Sequence, residues 1–119
     1  MSTPPNEDTS YEVDMQQVDV ELINQESVTA SAGFFGFIRA HRIFTRRFTG
    51  LTGVTRGSIV CVSLTEMKRT SPSGPLDLPH MGDASMKVYN VAPENGSVFV
   101  RGEVDWDSDL DIRVSFLVS

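Results

Sequence analysis

Cysteine is nearly missing from this chain of 119 residues: Cys61 stands alone, which excludes any disulfide within the molecule. Histidine is almost as scarce, with only His41 and His80. There is no H-E-x-x-H run, no G-x-S-x-G elbow and no glycine-rich phosphate loop. With so few groups that titrate or attack near neutral pH, and none in a spaced motif, no enzymatic activity is expected. No apolar run is long enough to span a bilayer as a helix. The opening residues, MSTPPNEDTS, lack a basic stretch followed by an apolar one, so no secretory leader is expected. The corresponding expectation is a cytoplasmic protein, or one released or carried in a particle by a non-classical route. Basic residues are outnumbered, 10 against 16 acidic, and the net charge of -6 argues against nucleic acid as a partner.

No segment repeats apolar residues at helical spacing, whereas alternation with a period of two recurs through the chain. Gly96 to Ser119 shows it best. Val98, Val100, Gly102 and Val104 alternate with mostly polar residues, and Ile112, Val114, Phe116 and Val118 alternate again. Asp105-Trp106-Asp107-Ser108-Asp109 lies between the two runs and favours a turn. The reading is a terminal hairpin whose tip carries the only tryptophan among acids.

Upstream, Met1 to Gln17 reads as a flexible acidic tail or arm, and Val18 to Ser119 as one domain. Tyr11-Glu12-Val13-Asp14-Met15 alternates, but the phase slips at Gln16-Gln17. That slip marks a bulge, or an arm that ends where a strand from Val18 to Ile23 begins; such an arm could pair with a neighbouring copy. Ser27 to Gly36 reads as a loop with Phe34 and Phe35 as an aromatic plug, placed either in the core or against a subunit. Phe37 to Phe48 reads as a strand pair or one long strand with a basic face. Five of the ten basic residues fall between Arg39 and Arg56, and one way to satisfy them is to face the acidic tip. Ser58 to Met67 reads as a central strand, its Ile59 to Leu64 run covered on both sides, with Cys61 buried. Lys68 to Asp83 reads as a long polar loop, Ser85 to Val91 as a strand, and Asn95-Gly96 as a tight turn. About six strands joined by Gly- and Pro-containing turns indicate an all-β antiparallel sandwich or small barrel.

Asp105, Asp107, Asp109 and Asp111 recur at every second residue, which raises calcium, a cation that wants several oxygen ligands. The EF-hand spacing from Asp107 fails, because Ile112 and Val118 take the places of the required glycine and glutamate. The expectation is therefore no metal and no other cofactor, with a calcium site at the tip as the alternative. Trp106 offers a flat apolar face beside acceptors, the combination that a sugar's C–H face and hydroxyl rim require; its other reading is a ring packed over the end of the sandwich.

The order of several motifs resembles the H-type lectins, of the snail agglutinin and discoidin C-terminal domain type. The motifs are Ile43-Phe44-Thr45-Arg46-Arg47-Phe48, Val60-Cys61-Val62-Ser63-Leu64-Thr65, Met86 to Pro93, Val104-Asp105-Trp106-Asp107-Ser108-Asp109, and Ile112 to Val118. The likeness covers Arg42 to the C-terminus. It implies a six-stranded antiparallel β-sandwich that forms trimers or hexamers and binds galactose-type carbohydrate near subunit boundaries. On this reading Trp106 stacks on the sugar while Asp107, Ser108, Asp109 and Asp83 supply polar contacts. The alternative expectation is a structural or adhesive trimer module of a viral, phage-like or injection particle, tethered by its arm and without a sugar ligand.

Overall fold

A computed structural model of the protein describes residues 16–24 and 32–119. The polar segment read as a tail, and most of the loop read before Phe34, lie outside the described residues. Nine strands and no helix occur among the described residues: β1 (Gln16–Asp19), β2 (Glu21–Asn24), β3 (Ala32–Ala40), β4 (Arg42–Thr49), β5 (Val60–Arg69), β6 (Leu76–His80), β7 (Ser85–Glu94), β8 (Ser97–Asp105) and β9 (Leu110–Val118). They form a four-stranded sheet in the order β1-β4-β8-β7 and a five-stranded sheet in the order β2-β3-β9-β5-β6. All pairings are antiparallel except β1 with β4, which is parallel. The sheets share one core, a sandwich-like arrangement lined from the first by Phe44, Phe48, Val98, Val100 and Val104, and from the second by Phe34, Ile38, Ile112, Val114 and Phe116. Phe48 and Phe116 meet edge-on across it, their rings 5.0 Å apart. Among the described residues no helix is long and apolar enough to cross a membrane.

The expected six strands become nine because the runs Val18–Ile23 and Phe37–Phe48 each divide in two, the second at His41, and because a stretch read as loop pairs as β6; β3 also starts earlier than read. The run from Val18 to Ile23 is not one strand, because Val20 passes from the first sheet to the second, held by its N–H to Thr49 C=O at 3.0 Å. Val18 and Val20 both pack on the core, so the crossing keeps the apolar phase. Phe34 and Phe35 belong to strand β3 rather than to a loop, with Phe34 fully in the core. The stretch read as a long polar loop folds back as β6 beside the end of β5.

The terminal segment is not a hairpin. β8 bonds to β4 and β7, β9 bonds to β3 and β5, and the chain between them arches from one sheet to the other through Trp106. Alternation tells which face of a strand is apolar, not which strand it bonds to. Two apolar faces are satisfied equally by sharing a sheet or by facing each other across a core, and here they face each other. β3 and β4 are joined by a second arch at His41, tight enough that Arg42 takes the left-handed region with φ 59°. The two arches lie side by side, because β3 pairs with β9 and β4 with β8.

Two further expectations are corrected. Ser85 to Val91 does not keep one alternation: the β7–β8 register shifts between Val88 and Asn90, and this bulge turns Val91 inward with Met86 and Val88. β5 is not covered on both sides. Val60, Val62 and Leu64 pack on the core, but Cys61 and Ser63 face the open outer side and Cys61 is exposed. The turn at Asn95-Gly96 is as expected, with Gly96 at φ 79° closing the β7–β8 hairpin. At that far end Leu51 and Val54 plug the core from the loop before β5, tied to Gly96 by backbone bonds of 3.2 and 2.9 Å.

Candidate functional site

The acids of the arch do not point at a common centre. Asp109 lies 2.5 Å from His41 Nδ1, Asp111 accepts from Arg39 at 2.9 Å, Asp105 accepts from Arg42 at 3.3 Å, and Asp107 accepts from the other Arg42 amino group. The acidic arch is therefore clasped by the basic one, the arrangement in which the basic strip faces the acidic tip. The hydrogen bond to His41 holds the Asp109 carboxyl below its ordinary value, with the positive charges of His41, Arg39 and Arg46 acting the same way. Ser108 is exposed at the apex. Among the described residues no group of three or more His, Cys, Asp or Glu side chains is placed to hold a metal ion.

Trp106 behaves differently from its acidic neighbours. The residue is 40% exposed and lines a cleft of about 360 Å³. The crossing from β6 to β7, Met81 to Ala84, lines it too, and β5 contributes Glu66 and Lys68. Asp83 lines this cleft with Trp106, so two residues far apart in sequence share it. Asp107, Ser108 and Asp109 do not line it.

Three other lining residues, Glu66, Lys68 and His80, were not singled out from the sequence as site residues. Glu66 is only 7% exposed, and its carboxylate lies 3.5 Å from Lys68 Nζ. A carboxylate removed from water needs donors, and one ammonium at that separation leaves it able to accept more. Gly82 makes room for it: a Cβ there would stand 2.6 Å from Glu66 Oε1. The cleft continues into a second hollow of about 290 Å³, where Leu64 and Met86 replace Lys68 and Trp106. One signal could have exposed Glu66. It follows Val60, Val62 and Leu64 at even spacing, so an acid occupies the core-facing phase of its strand.

Compared with protein-family models, with curated proteins and with solved structures, the chain matches none.

Proposed function

We propose that the protein is a non-catalytic carbohydrate-binding module of the kind its motif order suggests, an H-type-lectin-like sandwich that works as a homo-oligomer. The observation that carries this reading is the exposed Trp106 ring beside the carboxylates of Asp83 and buried Glu66 in one cleft. A sugar needs a flat apolar surface for its C–H face and fixed acceptors for its hydroxyls, and the cleft volume falls in the range of small-ligand sites. Trp106 stacks on the ring, Asp83 and Glu66 accept hydroxyl hydrogen bonds, and Lys68 and His80 stand at the rim as donors. Asp107 and Asp109 take a supporting role, since their carboxylates serve the basic arch that fixes the arch carrying Trp106. Binding at one such open cleft is weak, and several copies together raise it by avidity.

A glycan array followed by calorimetry tests this, with galactose-type sugars as the first class. Trp106→Ala is expected to weaken binding of the selected glycan at least tenfold, with the unfolding transition unchanged. Full binding by that variant, or no glycan bound by the parent chain, would overturn the reading. The second reading, a structural or adhesive particle module without a sugar ligand, is favoured by a different feature: a sheet edge left without a neighbour.

A further inference from the structure

The edge in question belongs to β5. On one side β5 bonds to β9 from Val60 to Glu66, but on the other β6 covers only Glu66 to Arg69. Beyond His80 the chain turns through Met81 into the opposite sheet, and Val60 to Thr65 has no second strand beside it among the described residues.

Hydrogen-bond parity shows what this edge offers. Ile59 and Ser119 exchange both backbone bonds, at 3.1 and 2.9 Å. In an antiparallel ladder such pairs recur every second residue, so Cys61, Ser63 and Thr65 also turn their N–H and C=O groups toward β9. Val60, Val62 and Leu64 then turn theirs outward, to the open edge. Their side chains face inward and are only half-buried, as are those of Met86 and Val88 on β7 across the gap. Exposed edges are usually protected by a charge, a proline or a bulge. Val60-Cys61-Val62-Ser63-Leu64 has none of these. One more strand with apolar residues at alternate positions would complete this edge.

We infer that Tyr11-Glu12-Val13-Asp14-Met15 of a second copy of this chain fills that place. Its alternation puts Tyr11, Val13 and Met15 on one face, with Glu12 and Asp14 on the other. Five extended residues match the five from Val60 to Leu64 in length. The same molecule cannot supply them. Met15 is bonded directly to Gln16, and Gln16 opens β1 on the opposite flank of the sandwich, beyond β4, β8 and β7. One copy therefore sets its β1 flank beside the β5–β7 flank of the next. Such a contact is head-to-tail, which gives a ring where its rotation closes and an open chain of copies where it does not. The added strand prolongs β6, so it runs antiparallel to β5 and centres Val13 on Val62. Asp14 then lies opposite Cys61 in a pair that exchanges no backbone bonds, close enough for a disulfide.

The test uses Cys61 as the only native thiol. The full-length D14C variant is oxidised mildly, and its links are mapped by mass spectrometry and on non-reducing gels. A bond between position 14 of one copy and Cys61 of another is the expected result, with covalent dimers and closed rings or longer chains of copies appearing together. Light scattering supplies the second measurement: the full chain runs as an oligomer, and a chain starting at Gln16 runs as a monomer. A monomeric full chain overturns the inference. So does an oligomer whose mass survives the deletion, or one that forms no intermolecular link to Cys61.

Discussion

The molecule handles acid in two opposite ways a few residues apart. In the arch after β8, Asp105, Asp107, Asp109 and Asp111 stand in or near water, and each meets a basic side chain from β3 or the β3–β4 arch. In the cleft beside it, Glu66 is withdrawn from water with only Lys68 near, at 3.5 Å. Exposed ion pairs contribute little each, because water and salt already solvate both partners. A buried carboxylate costs stability unless it is fully satisfied. The arch acids therefore serve the fold cheaply, and Glu66 is an expense that the fold does not need. On the proposed function the hydroxyls of a ligand donate to it.

Glu66→Leu breaks this contrast most strongly. Leucine has a similar volume and continues the inward row of Val60, Val62 and Leu64. Unfolding free energy is expected to hold or to rise by about 1 kcal/mol, since replacing a buried charge with an apolar residue is often neutral or stabilising. Binding of the glycan selected by the parent chain should fall tenfold or more. Denaturant titration and calorimetry on the same sample read both. A loss of about 2 kcal/mol or more in stability would show that Glu66 anchors the fold and that its place in the cleft is incidental.

The arch was partly legible in the sequence and Glu66 was not, for physical reasons. A turn rich in aspartate and a stretch rich in arginine advertise themselves by composition, and opposite charges in one small domain tend to meet. The same data could not tell a hairpin from an arch, because Val98 to Val104 and Ile112 to Val118 carry only face information. Asp83 and Trp106 were joined in one site only through the resemblance, and it is the β6–β7 crossing that brings them into one cleft. That crossing was hidden because Leu76 to His80, with Pro79 inside it, reads as loop; it pairs as a short outer strand, where a missing N–H is tolerated. Cys61 was misplaced because an apolar run looks the same whether its outer face is covered or bare.

Arg42→Ala sharpens the contrast from the other side. It removes both Arg42 ion pairs, to Asp105 and Asp107, while leaving an L-residue at the same left-handed position. The expected loss is under about 1 kcal/mol, shrinking further in molar salt as screening replaces the guanidinium. Comparing urea midpoints at low and high salt checks it. A loss that salt does not diminish would mean the arginine stem, not its charge, supports the arch.

The smallest expected effect is a dependence on acid. Because the bond from His41 lowers the Asp109 carboxyl below 3.8, the folded state binds this proton less readily than the unfolded chain. The resulting stabilisation is complete above the unfolded value, near pH 4, and disappears as the pH drops through the folded one. Asp77, lowered by the side-chain and backbone bonds from Thr70, adds to the same limb. Asp109→Asn removes one contributor, so its urea midpoint should trail the parent's at pH 6 and converge on it toward pH 3. If the gap instead stays constant down to pH 3, the arch is held by the shape of its hydrogen bonds and not by charge, and the contrast with the cleft narrows to burial alone.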